Sequence, residues 1–237
     1  MINIKKCKLN RNGNIKVGNI ATWATLKGAD EIYIDRLGCG VTGTCGKHCK
    51  GCTKSCYVNK SYRYSSVKYG HAIRTIAIRE HLDELYTVID SQIKKARKPF
   101  TIVRWNESGE HENAEQFAML CKLAANNPGV IFYCYSKAYE IILPALLAGK
   151  VPENLIILIS IWHESGIEEF KQVAHLANVK AFVYMDGFDY SAYGIEIQTT
   201  CQAYDEHGKL NHEITCDKCK KCFVKSDKLK IIGCNDH

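Results

Sequence analysis

Leu155–Met185 reads LIILISIWHESGIEEFKQVAHLANVKAFVYM. It opens on a near-continuous apolar run, Leu155–Trp162, the pattern of a strand covered on both faces. Ile167–Leu176 then has helical spacing, and Val179–Met185 is again strand-like. A strand, a helix and a strand in direct succession make one parallel β/α unit.

The same alternation extends toward the N-terminus. Val130–Tyr135 contains the apolar run VIFY and reads as a strand. Ala138–Ala148 reads as a helix that Pro144 kinks or shortens. Asn113 with Gln116 resembles a capping box, opening a helix through Ala125 with Phe117, Leu120 and Ala124 on one face. Phe100–Trp105 (FTIVRW) is strand-like. Before it, Ser65–Lys98 reads as one long helix with Ile73, Ile76, Leu82, Leu85, Ile89 and Ile93 along a face, ended by Pro99. Glu31–Leu37 (EIYIDRL) alternates and reads as the first strand. Ile195–Thr199 reads as the last, and beyond Thr200 the pattern stops. About six units predict an α/β fold, a full or partial barrel over residues 1–200. The tail, 201–237, is too short for a core of its own, so metal is expected to organise it.

The chain has 237 residues, of which 46% are hydrophobic and 24% charged, with a formal charge of +7. No apolar run approaches the roughly 18 residues of a membrane span. The basic start, MINIKKCKLNRNGN, lacks the apolar stretch of a secretory signal. The expectation is a cytoplasmic protein with no membrane partner. The charge permits contact with nucleic acid without requiring it. Much of the excess flanks the cysteines, at Lys47, Lys50, Lys54, Lys60 and Arg63 and again at Lys218, Lys220, Lys221, Lys225, Lys228 and Lys230, where it offsets anionic metal thiolates.

Thirteen cysteines are present. An odd count argues against a complete disulfide set, and dense cysteine in a reducing compartment points to metal or catalysis. Cys7, Cys121 and Cys134 are isolated and read as core residues. The others fall in two groups. The first lies in the loop 38–63: Cys39, then Cys45, Cys49, Cys52 and Cys56 in GCGVTGTCGKHCKGCTKSCYV. Thiolates are soft ligands that select zinc, Cu(I) or iron–sulfur clusters. A compact run of cysteines among glycines suits a cluster, whose sulfurs the loop N–H groups can approach. A zinc knuckle using His48 is the alternative.

CGKHCKGC matches the C-x3-C-x2-C pattern of the radical S-adenosylmethionine (SAM) superfamily, although Gly51 stands where an aromatic residue is usual. Together with CYV, RWNESGEHENAEQFA, FYCYSKAYE and the C-terminal cysteine run, the chain also resembles a family of phage and plasmid gene products that looks related to that superfamily. The resemblance implies a partial (β/α)6, TIM-like barrel with a short cysteine-rich C-terminal extension. It implies a cluster on three cysteines whose fourth iron is open to SAM. Cys39 or Cys56 would close that iron if either ligates it.

In parallel barrels, reactive groups gather at the C-terminal ends of strands. Ser108-Gly109-Glu110 resembles the Gly-Gly-Glu step that contacts the SAM amino group, which makes Ser108, Gly109, Glu110 and Ser136 candidate cofactor contacts. Glu107, Glu110, Lys137 and His163 are the candidate catalytic residues. Ser160, Trp162, Glu164 and Asp186 also stand at strand ends. An acidic loop before a helix N-terminus is the plain alternative for the glutamates.

In the tail, Cys216, Cys219 and Cys222 match the start of a ferredoxin run. Cys201 or Cys234 supplies a fourth ligand, and Cys201 is favoured because it matches a cysteine of the phage family. A zinc site with His207 or His212 is the alternative. The sequence therefore predicts two [4Fe–4S] clusters, with SAM as a further cofactor candidate. It predicts an enzyme doing radical-SAM-like or sulfur chemistry at an open iron, with a small-molecule substrate and an electron donor as partners. The competing expectation is a non-enzymatic iron–sulfur or zinc protein that binds nucleic acid or a host partner.

Overall fold

Six strands lie side by side in the order in which the chain makes them. A computed structural model describes residues 2–11, 15–49, 52, 56–203, 211, 213–226 and 228–235, with backbone alone at Ile15 and Cys49. The strands are β1 (Ala21–Thr22), β2 (Glu31–Ile34), β3 (Cys39–Thr42), β4 (Ile102–Trp105), β5 (Ile131–Ser136), β6 (Leu155–Ile161), β7 (Val179–Met185), β8 (Thr199–Thr200) and β9 (Ile231–Asn235). The helices are α1 (Val58–Ser61), α2 (Ser65–Glu80), α3 (Leu82–Lys94), α4 (Ala114–Ala125), α5 (Tyr139–Leu147), α6 (Ile167–Val173) and α7 (Cys216–Cys219). A seven-stranded sheet has the order β1-β4-β5-β6-β7-β9-β8, and every pairing in it is parallel. This is the mixed α/β fold that alternating strands and helices predict. No helix among the described residues is long and apolar enough to cross a membrane.

The two faces of the sheet are covered differently. On one, Val103, Phe132, Ile157, Ile159 and Val183 pack with Leu85, Ile89, Phe117, Leu120, Ile142 and Phe170 of the helices. On the other, Tyr133, Ile156, Leu158 and Ile232 pack with Ile20 from the N-terminal region and Phe223 from the tail. The period-2 alternation of strands sends successive residues to opposite faces. The apolar runs of β5 and β6 thus reflect burial on both sides.

Local chemistry explains several boundaries. Asn113 caps α4, its Oδ1 accepting from the Gln116 N–H at 2.9 Å, while Gln116 Oε1 accepts from the Glu112 N–H at 3.0 Å. Pro144 sits inside α5, which ends soon after it at Leu147. Asn154 Nδ2 donates to the carbonyls of Ala124 and Val130, at 2.9 and 2.8 Å, and so pins the end of α4 to the start of β6.

Three expectations need correction. The long helix over 65–98 is two helices, broken at His81 (φ −139°, ψ 43°). The break lets α2 pack on the β2–β3 hairpin through Ala72 while α3 buries Leu85, Ile89 and Ile93 in the main core. The strand in EIYIDRL does not open the sheet. It pairs antiparallel with Cys39–Thr42 as a separate two-stranded hairpin, and the sheet begins instead at Ala21–Thr22. Finally, the strand pattern does not stop at Thr200, because Ile231–Asn235 pairs with β7 and brings the tail into the sheet. Isolated in sequence beyond a polar stretch, that strand gave no alternation to extend.

Candidate metal centre

The strand ends meet the cysteines in one cavity of about 250 Å³. Arg104 of β4, Tyr135 of β5, Ser160 of β6 and Tyr184 of β7 line it from the sheet. These residues lie on the face opposite the helices, toward the C-terminal ends of the strands.

The first thiol group enters from the loop after β3. Cys45, Cys52 and Cys56 line the cavity, and the Cys49 side chain lies outside the described residues. The loop is anchored at its start by the Cys45 N–H, which donates to the Gly28 carbonyl at 2.9 Å. Gly43 is required there: a Cβ would stand 2.1 Å from the Lys27 carbonyl oxygen. Burial pushes the Cys45 thiol up to about 12 and also raises Cys56. Cys39 is exposed in the hairpin opposite Ile34 and does not line the cavity.

The second group enters from the tail. Cys201, Cys216, Cys219, Cys222 and Cys234 all line the same cavity. Cys216 and Cys219 bracket the single turn α7. Lys220, at φ 61°, then reverses the chain and returns Cys222 to the cavity. Asp217 holds the turn, accepting from the Asn19 N–H at 3.1 Å. Cys201 and Cys234 are held beside each other by neighbouring strands, with the Cys201 N–H donating to the Gly233 carbonyl at 2.8 Å. Their thiols share a hydrogen bond that lowers Cys201 below the ordinary thiol range and raises Cys234. Burial pushes Cys222 up to about 12.

The donor set is what a thiolate-ligated group requires. Buried thiols hold their protons more tightly than free ones, and a bound metal replaces those protons. Among the described residues, no three His, Cys, Asp or Glu side chains are close enough to hold a single metal ion. His207 and His212, the alternative ligands for zinc, lie outside the described residues.

The loop after β4 shapes the opposite wall. Gly109 has φ +83°, and a Cβ on it would meet Thr25 Oγ1 at 1.9 Å and Thr44 Oγ1 at 2.4 Å, so only glycine fits. Glu110 is buried with both carboxylate oxygens engaged. Oε1 accepts from the Ser136 hydroxyl and the His111 N–H, each at 2.9 Å, and Oε2 accepts from the Lys137 N–H at 2.7 Å. Burial raises its pKa to about 7 against those hydrogen bonds. Glu107, Ser108 and Lys137 line the cavity beside it. Ser136 stands behind the wall, bonded to Glu110 rather than facing the cavity. His163 lies outside it, its Nε2 2.6 Å from Asp186 Oδ2. His48 lines the cavity, with its Nε2 3.4 Å from Glu140.

A family model for gene product 88 matches residues 3–225. The chain belongs to the gene product 88 family. This agrees with the phage-type family that the sequence resembles. No curated protein and no solved structure matches the chain. Several cavity residues of this gene product 88 member escaped sequence reading, Phe182 and Tyr184 among them. Arg104 and Asn106 both line the cavity. The signal for Arg104 is a lone charge within the apolar strand FTIVRW.

Proposed function

We propose that this gene product 88 protein is an iron–sulfur enzyme whose two [4Fe–4S] clusters face one substrate cavity. The observation that carries this is the convergence of two cysteine groups, far apart in sequence, on a single cavity at the C-terminal ends of parallel strands. Cys45, Cys49 and Cys52 would ligate three irons of one cluster and leave the fourth open, which Cys56, lining the cavity beside Cys45 and Cys52, would close if it ligates. Cys216, Cys219 and Cys222, with Cys201 or Cys234, would supply those of the other. A four-iron cluster is wider than one ion, so thiols too far apart to share a zinc can share a cluster. Such groups supply electron transfer, and an iron lacking a protein ligand binds a small molecule.

A radical-SAM-like, partial (β/α)6 barrel is the architecture that best accommodates this reading. Six strands adjacent in chain order, a cysteine loop ahead of the first long helix, and a site at the strand ends support it. Within this reading the Glu110 carboxylate shapes the cavity wall, since its oxygens are already bonded to Ser136, His111 and Lys137. The protein's work is to hold both clusters, exclude water with Trp162, Phe182 and Tyr184, and present cations to what binds there.

The test is iron and sulfide analysis of protein purified without oxygen, with Mössbauer spectroscopy. About eight irons and eight sulfides per chain are expected, falling to about four in both Cys52→Ser and Cys222→Ser. Stoichiometric zinc without acid-labile sulfide refutes the proposal. SAM and hydrosulfide, added separately to the reduced protein, test which small molecule reaches an open iron, through a shift in the paramagnetic resonance of the first cluster.

A further inference from the structure

Three buried nitrogen donors on the cavity wall find no acceptor among the described residues. They are Arg104 Nε, Asn106 Nδ2 and Lys137 Nζ. A buried donor left unpaired costs about 1–3 kcal/mol, so three around one space call for something that accepts. Arg104 is 9% exposed and Asn106 5% exposed. Asn106 is also one of few non-glycine residues at positive φ, 52°, a conformation that turns its side chain off the end of β4. Lys137 Nζ lies 4.2 Å over the Trp162 ring, and the Arg104 guanidinium lies 4.8 Å over the Tyr135 ring. Among the described residues its Nη2 reaches the Tyr57 hydroxyl, at 3.4 Å.

We propose that the cavity between the two cysteine groups binds a small aromatic carboxylate, held by Arg104, Asn106 and Lys137. A guanidinium, an amide N–H and an ammonium are all donors, and two of them are cations, so the complementary group is an oxyanion. The planar guanidinium matches a carboxylate in particular. Glu110 is turned to other donors, accepting from the Ser136 hydroxyl and from the His111 and Lys137 backbone N–H groups. The rest of the wall is aromatic. Trp162 and Tyr184 stack at 3.7 Å between centroids, and Tyr135 meets Phe182 edge-on at 4.7 Å. These surfaces receive a flat apolar body next to the carboxylate. The inference deepens the proposed function, naming the substrate class of that site, and rests on it for the place of the ligand between two clusters. The competing account of the same donors is that they only offset the charge of the metal thiolates.

The experiment uses the holoprotein, purified without oxygen and titrated calorimetrically with benzoate, benzamide and inorganic phosphate. Benzoate is expected to bind at least about tenfold tighter than neutral benzamide, and Arg104→Met and Lys137→Met are each expected to weaken it by about tenfold or more. Asn106→Leu gives a smaller loss. Two independent cation variants keep the test sound if one fails to fold. Equal affinity for benzoate and benzamide, unchanged affinity in both cation variants, or no benzoate binding overturns the site. Phosphate binding in place of benzoate overturns the carboxylate assignment. Iron and sulfide analysis of the same samples reads the cluster assignment separately. Protein without iron refutes the clusters, whereas protein with full iron and no benzoate binding refutes the carboxylate site alone.

Discussion

His111 offers the clearest test of how burial governs this molecule. It is 1% exposed, it packs edge-on against Phe117 at 5.1 Å, and neither ring nitrogen has a hydrogen-bond partner among the described residues. Burial lowers its pKa to about 3, against an ordinary value near 6.5. The folded protein therefore keeps the ring neutral while the unfolded chain protonates it. Stability is full above about pH 6.5 and falls as the pH drops from there toward 3. Between pH 7 and pH 5 the loss amounts to about 2 kcal/mol. His111→Phe keeps a flat ring of similar size against Phe117 and removes the titration. Urea unfolding of both proteins at pH 7 and pH 5, without oxygen, isolates the effect as a double difference, because His71 and the thiols titrate equally in both. With a slope of roughly 2–3 kcal/mol per molar, the wild-type midpoint should fall nearly 1 M further than that of the variant. Equal falls in the two proteins would show that a water or a charge reaches the ring, and the burial argument would fail.

Gly109→Ala should lower stability by about 2 kcal/mol or more, since the added methyl meets two threonine hydroxyls at a left-handed φ, and a wild-type thermal melt would refute the packing of that loop. Lys180 is fully buried on β7 and donates to the Lys221 carbonyl at 2.7 Å. Lys180→Ala should cost about 2–4 kcal/mol and loosen residues 213–226, read as faster amide exchange there; unchanged exchange counts against that tether. Cys39→Ser should leave iron content at the wild-type level while Cys45→Ser lowers it, and a loss of iron in Cys39→Ser would overturn the placement of the hairpin outside the site.

The sheet was legible where both strand faces are apolar. LIILISI and VIFY mark β6 and β5 because helices cover one face and the tail covers the other. Cap chemistry at Asn113 was legible for a local reason: the hydrogen bond joins residues three apart. The hairpin was misread because alternation shows a half-buried strand but not its partner, and Tyr33 in fact faces solvent at 63% exposure. β1 is two residues long and β9 follows a polar stretch, so neither carries enough periods to detect. In the candidate site, cysteine spacing drew attention to Cys45, Cys52, Cys56 and the tail cysteines, which line the cavity. It could not tell Cys39 from Cys56, since that choice depends on where the chain folds back. Arg104 and Asn106 were missed because their meaning lies in what they fail to bond, which only the surrounding structure reveals.

The pairing of β9 with both β7 and β8 fixes an order of assembly. Among the described residues β8 touches the sheet only through β9, and β9 reaches β7 across almost fifty residues of chain. Contacts so distant in sequence close large loops and form late. Cys201 follows directly on β8 and Cys234 lies within β9, so neither thiol has its final neighbours until that last pairing is made. The loop of the first group is anchored locally, the Cys45 N–H on the Gly28 carbonyl and the Thr44 N–H on the Leu26 carbonyl, and does not wait for β9. Under the proposed function, maturation would thus be sequential, with the N-terminal thiols in place while the C-terminal set is still waiting for its strand.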